Sequence, residues 1–275
     1  MSAQFGGDQY IAGQKEPVID MPTRFVDFMR VLVPMAGDDT TPEGEQVNIY
    51  GNHVGSWNFA ATAYLNRWKV KIYYEHYFDD HSQMFFQYGR WKDGHIGLEI
   101  TFPKNRFIDT FVYEGLGTKD QTGPMLYDSF WGEFEEQISA KDNYYNHYLY
   151  QGWQHWGMGI GNPLLPGPIY NKNGQITFIS NRVLAHHIGF CGSPCQSLSY
   201  RMLLSYSRHW GTYDNPLNEI KKQFNSLFEV TYAPQQLKGW SFTVSGAMDR
   251  GNILGNNYGG MLVIRKQGII KSGNK

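Results

Sequence analysis

Apolar and polar residues alternate with a period of two, in one segment of about ten residues after another. No other feature limits the fold as much. Residues 68–78 set Trp68, Val70, Ile72 and Tyr74 against Lys69, Lys71, Tyr73 and Glu75. Residues 95–102 set Ile96, Leu98, Ile100 and Phe102 against His95, Gly97, Glu99 and Thr101. Residues 240–249 set Trp240, Phe242, Val244 and Met248 against Ser241, Thr243, Ser245 and Asp249. Successive side chains of a strand point to opposite faces, so each segment predicts a strand with one apolar and one polar face. Weaker versions at 56–65, 83–89, 107–114, 182–190, 199–208, 225–232 and 258–266 bring the total to about ten strands. Turn residues separate them. Asn66-Arg67 divides the first two closely, and Lys92-Asp93-Gly94 predicts a hairpin between 83–91 and 95–102. Residues 22–35 fit a strand or a short helix, and 216–224 admit one turn of helix. The longest irregular stretch is 115–181.

Composition narrows the solvent of those strands. The 275 residues are 16% aromatic and 18% charged, with 31 Gly. Disordered chains lack aromatics, so the composition argues against a disordered chain. No apolar run approaches the roughly 18 residues of a membrane helix. A net charge of −1 carries no basic footprint for nucleic acid. Residues 1–22 have neither the basic start nor the apolar stretch of a signal peptide. The chain is then cytosolic, or its export signal was removed or lies upstream. Strands of about 9–11 residues suffice to cross a bilayer with tilt. Aromatics such as Trp57, Tyr64, Trp68, Phe102, Tyr113, Tyr200, Tyr232, Trp240 and Tyr258 recur near strand ends. They match the aromatic girdles of a membrane β-barrel. An aromatic-rich β-sandwich is the alternative on the same residues.

Two groups of motifs go further. The first is Asn52-His53-Val54-Gly55-Ser56-Trp57, with Tyr73-Tyr74-Glu75-His76-Tyr77-Phe78 and Leu98-Glu99-Ile100-Thr101-Phe102-Pro103-Lys104-Asn105-Arg106-Phe107. The second is Asn146-His147-Tyr148-Leu149-Tyr150-Gln151-Gly152-Trp153, then Gly161-Asn162-Pro163-Leu164, Asn181-Arg182-Val183-Leu184-Ala185-His186-His187, Trp210-Gly211-Thr212-Tyr213-Asp214-Asn215-Pro216 and Gly259-Gly260-Met261-Leu262-Val263-Ile264-Arg265-Lys266. In this order, over most of residues 20–270, they resemble the carboxy-terminal part of the capsule assembly Wzi family in its Bacteroides-type form. The resemblance implies a Gram-negative outer-membrane barrel of roughly eighteen strands, even-numbered as such barrels usually are. It also implies a lectin-like, non-catalytic role in holding capsular polysaccharide. Family members are longer and begin with a signal peptide, which makes this chain a portion that lacks the first strands.

Other chemistries have thinner support. Glycosidases need two carboxylates across a cleft. Glu133, Glu135 and Glu136, or Asp79-Asp80, supply acids, but a solvated acidic loop explains them as well. His147 and His155 flank Trp153, and neighbouring His186 and His187 point to opposite strand faces, so no metal is expected. Cys191-Gly192-Ser193-Pro194-Cys195 reads as a local disulfide or two inert thiols. Glycines 157, 159 and 161 lack the Lys and the helix of a phosphate loop. Sugar recognition fits better, through rings stacked on a sugar face and planar polar groups on its hydroxyls. Tyr144, Tyr145, Tyr148, Tyr150, Trp153 and Trp156 lie among Asn143, Asn146, Gln151, Gln154 and His155, and a second group is Arg208, His209, Trp210, Tyr213, Asp214 and Asn215. Girdle and turn roles are the plain alternative for both groups.

The sequence therefore predicts an all-β, antiparallel, up-and-down transmembrane β-barrel, incomplete, with about ten strands. Residues 1–20 form an extended or disordered segment, 21–270 the barrel domain and 271–275 a polar tail. The chain is placed in the outer membrane as a monomer in contact with lipid and a capsular or other surface polysaccharide. It carries no cofactor, metal, nucleic acid or catalytic residue. The polysaccharide contacts are Tyr148, Trp153, His155, Trp156, Arg208, Trp210, Asp214 and Asn215. A soluble or periplasmic carbohydrate-active β-protein and a porin-like channel lined by Lys69, Lys71 and Glu75 are the alternatives.

Overall fold

The computed structural model describes residues 5–9, 19–33, 35, 37–41, 51, 53–79, 93–105, 107–119, 143–147 and 152–268. Nine strands build one sheet: β1 (Val54–Leu65), β2 (Trp68–Asp79), β3 (Gly94–Thr101), β4 (Thr110–Gly117), β5 (Val183–Cys195), β6 (Leu198–Gly211), β7 (Pro216–Tyr232), β8 (Trp240–Gly251) and β9 (Asn257–Lys266). Each pairs antiparallel with the strands before and after it in the chain, and β1 and β9 are the sheet's edges. The fold is all-β, an open up-and-down meander. The helix α1 (Phe25–Leu32) answers the choice left open at 22–35. Among the described residues no helix is long and apolar enough to cross a membrane, which does not bear on strands.

Turn chemistry explains the pairing. Asn66 has a φ of 57°, the positive value that lets a two-residue loop join right-twisted strands, and Leu65 lies opposite Trp68. Between β6 and β7, Asn215 N–H donates to Thr212 Oγ1 at 2.9 Å. Buried Gln223 of β7 holds the β8–β9 turn, its Oε1 accepting the N–H of Ile253 at 3.3 Å and of Leu254 at 3.1 Å.

Two expectations are corrected and one alternative is decided. β3 pairs with β2 on one side and β4 on the other, so no edge is left for the hairpin expected between 83–91 and 95–102. The strand expected at 83–89 itself lies outside the described residues. Residues 216–224, expected to carry a turn of helix, belong to the 17-residue β7. His209 pairs with Lys221 and Arg208 with Lys222, so partners across the sheet outweigh the local preference of a Lys-rich stretch. Cys191 and Cys195 are both free thiols, the second of the two alternatives left open for them. Both lie on β5, and Cys195 is opposite Leu198 at the start of the return strand.

The two faces are unlike. Directly paired residues share a face, which lets the faces be traced across the sheet. One carries Phe59, Ile72, Ile96, Val244 and Leu262, which are 53%, 55%, 52%, 61% and 64% exposed. The other carries Glu75, His95, Glu114, His187, Ser205, Asn225 and Asp249. The apolar face is thus the open one. The polar face is covered at one end by the segment between β4 and β5, here called the insert. The buried cluster lies at that end. Tyr144, Tyr145, Leu165 and Phe178 of the insert join Val183 and Ala185 of β5, with Val54, Tyr77 and Leu116 packed against them. There the polar face turns apolar and is buried.

Candidate functional site

A row of mostly polar residues, hydrogen-bonded in pairs, crosses the polar face. Tyr73, Gly97, Glu114, His187, Ser205, Asn225, Asp249 and Asn257 lie opposite one another on eight successive strands. The Tyr73 hydroxyl donates to Glu114 across Gly97. His187 Nδ1 lies 2.6 Å from Ser205 Oγ, and Asn225 Nδ2 donates to Asp249 Oδ1 at 2.6 Å. A parallel row begins beside it. Ser56 Oγ donates to Glu75 Oε1 at 2.6 Å, and Asn58 Nδ2 donates to Ser56 Oγ at 3.0 Å. His95 joins the rows, with Nδ1 3.7 Å from Glu75 and Nε2 3.4 Å from Glu114.

The insert is fastened over these rows by side-chain amides. Asn146 donates to the Phe178 carbonyl at 2.9 Å and accepts the Phe178 N–H at 2.8 Å. Asn181 Nδ2 donates to Asn143 Oδ1 at 2.7 Å and to the Tyr144 carbonyl at 2.8 Å. Thr118, at the end of β4, donates to the Asn181 carbonyl at 2.7 Å and accepts the Val183 N–H at 3.0 Å. Tyr145 donates to the Ile160 carbonyl at 2.7 Å and accepts the Asn162 N–H at 3.1 Å. Amides both donate and accept, so a loop without ladder partners can satisfy its buried backbone this way. His147 sits in the same segment. Burial, and to a lesser extent His53 nearby, push its pKa down to about 4.

Between insert and sheet lies a cavity of about 580 Å³. Ser56, Glu75, His95, Glu114, His187 and Ser205 form its polar side, and Tyr144, Tyr145, Asn162 and Leu164 form part of the other. Its volume lies in the range typical of small-molecule pockets.

The polysaccharide contacts expected from sequence are not gathered there. Tyr148 lies outside the described residues, as do Tyr150, Glu133, Glu135 and Glu136. Trp153 packs against the buried cluster. His155 ends the short strand Gln154–His155, and Trp156, 86% exposed, begins the turn to its partner Met158–Gly159. They line a separate depression of about 340 Å³ with Pro168 and Ile176. Arg208 and Trp210 are close to each other near the end of β6, the guanidinium 5.4 Å from the ring centre, with Lys119 at 5.2 Å on the same ring. Asp214 and Asn215 occupy the exposed turn after β6. Tyr144 and Tyr145 of the expected aromatic group do reach the cavity wall.

Alternation holds for the histidine pair. His186 lies 2.8 Å from the Tyr113 hydroxyl on the apolar face, while His187 bonds Ser205 on the polar one. Among the described residues no three His, Cys, Asp or Glu side chains converge as metal ligands do. Alternation also puts Glu75, His95 and Glu114 on wet strand faces, but nothing in the sequence says that they meet. No protein-family model, curated protein or solved structure matches the chain.

Proposed function

We propose that this chain forms the wall of an outer-membrane β-barrel that binds or organises capsular or other surface polysaccharide without catalysis. One observation carries the membrane part. The sheet is inverted relative to a water-soluble β-protein, because its apolar face is open while the insert covers one end of its polar face. Water disfavours an open apolar face of this extent, whereas lipid accepts it. A bilayer also requires every backbone group to be paired, which a closed barrel provides. The strand lengths fit, since β1, β2 and β5 to β8 each have at least 12 residues and about 9–11 cross the hydrocarbon. The described sheet is open, so this reading requires further strands to join the β1 and β9 edges. Trp156, His155 and the Arg208–Trp210 pair offer rings and polar groups to a sugar chain at the end of the sheet that carries the insert.

The full chain, expressed with an export signal in a Gram-negative host, tests the membrane part. It should fractionate with the outer membrane and require detergent for extraction. A product that is folded and soluble without detergent overturns it. Binding of purified capsular polysaccharide to the extracted protein, lost in Trp156→Ala together with Trp210→Ala, tests the ligand part.

A further inference from the structure

We infer that the rim of the open apolar face, at the end that carries the insert, binds the phosphate of an anionic lipid headgroup. Lys119, Arg182, Arg208, Lys222 and Arg250 form a row there. Arg208 on β6 lies opposite Lys222 on β7, and Arg250 on β8 lies opposite Phe224, the next residue of β7 on that face. On its other side Arg208 lies opposite Leu184, and Leu184 opposite Gly117. Two residues beyond these, Arg182 and Lys119 meet, with Arg182 Nε donating to the Lys119 carbonyl at 3.1 Å. Two rings tie the group together. Lys119 and Arg208 both lie against Trp210, and the Arg182 guanidinium is 4.1 Å from the centre of the Tyr213 ring.

The charge of the row is left uncompensated. Among the described residues none of these five cations forms an ion pair, whereas Lys69 and Arg201 on the polar face pair with Glu99 and Glu229, and Arg24 and Arg30 pair with Asp27. Rings and a carbonyl hold the row in place without cancelling its charge. Asp214 is in the exposed turn after β6, and Glu219 and Asp249 fall by alternation on the polar side. Phosphate oxygens accept charge-assisted hydrogen bonds from guanidinium and ammonium groups. Position then names the source of the phosphate. Below the row the same face carries Tyr206, Phe224, Phe228 and Val244, and it ends in Tyr232 and Trp240. Cations at the border of a lipid-facing apolar band stand at headgroup level, where each adds attraction to an anionic leaflet. A soluble phosphate compound needs no such band. The inference rests on the membrane part of the proposed function and extends the Arg208–Trp210 pair to the neighbouring strands.

Calorimetry and native mass spectrometry on the detergent-extracted full chain test it with dioctanoyl phosphatidylglycerol, dioctanoyl phosphatidylcholine and inorganic phosphate. The anionic lipid should bind about tenfold or more tighter than the zwitterionic one, and the gap should narrow as salt rises. A combined Arg182→Gln, Arg208→Gln and Lys222→Gln variant should lose most of that preference. Arg201→Gln, on the polar face, should keep it. If the combined variant does not fold, the ranking of the two lipids and its salt dependence on the unaltered protein still decide. Equal binding of the two lipids overturns the inference, while outer-membrane fractionation judges the membrane reading separately. Inorganic phosphate bound as tightly as the anionic lipid overturns the lipid source and assigns the row to free phosphate.

Discussion

The hydroxyl of Tyr73 on β2 reaches the Glu114 carboxylate on β4 by passing over Gly97 of the strand between them. A Cβ at position 97 would stand 2.0 Å from the Tyr73 ring. The bare backbone at Gly97 is therefore what allows the two polar strands to communicate, and it positions one wall of the cavity.

Gly97→Ala is expected to displace Tyr73 and break its bond to Glu114, at a cost of about 1–3 kcal/mol from crowding and the lost partner. Gly246→Ala on β8, where a Cβ meets nothing within 4 Å, is the matched control. Denaturant unfolding of both variants checks this. Equal midpoints would show that Tyr73 is not held by that gap.

Asn146→Ala should loosen the insert without opening the sheet. It removes two hydrogen bonds to the Phe178 backbone and leaves those groups buried. The cost is about 1–3 kcal/mol per orphaned group. Limited proteolysis should then cut within 152–181 while β5 to β9 stay protected.

Acid should weaken two places over different ranges. His147 is held neutral, with its pKa lowered to about 4 chiefly by burial. Its penalty starts as pH falls below the ordinary histidine range near 6.5 and grows until about pH 4. Hydrogen exchange around 143–147 should rise over that window, and His147→Gln should flatten the rise.

The Asp27 carboxyl is held below the usual range by its bond to Arg24, with Arg30 adding to it, and Asp38 by Thr40 and Arg24. These carboxylates stabilise α1 at pH values above the ordinary aspartate range near 3.9. That contribution is lost as pH falls through their lowered values. Exchange in Phe25–Leu32 should therefore increase only below about pH 4, and Asp27→Asn should raise it already at neutral pH.

Val244→Arg and Ala247→Arg separate the two faces of β8. Val244 is on the open apolar face and Ala247 on the polar one. In a membrane wall the first costs about 2–4 kcal/mol near the midplane, while the second is tolerated. Outer-membrane assembly of the two variants should differ accordingly. Equal assembly would contradict the proposed orientation.

Much of the sheet was legible because side-chain alternation is a local property. Lys69, Lys71, Tyr73 and Glu75 share a face whatever they pair with, and Asn66 marks its turn by tolerating positive φ. The hairpin at 92–94 was misread because Gly94 looks like turn chemistry yet begins a strand whose partner, β2, is reached across residues 80–92. Residues 216–224 were misread because Lys221, Lys222 and Gln223 acquire their partners from β6, β8 and the β8–β9 turn. Of the site, the sequence marked Tyr144 and Tyr145 by their aromatic company but missed His95, Glu114 and Asn162, whose neighbours are distant in the chain.

The sequence by itself determined the strands, the two-faced character of each and the polar nature of one face, since a period of two needs no partner. The tertiary structure alone decided register and docking. Register places Tyr73, Gly97 and Glu114 in one row, and a slip of one residue would turn each to the other side. Docking of the insert covers one end of the polar face and leaves the apolar one open. Both depend on contacts between residues far apart in sequence, and no local pattern encodes those.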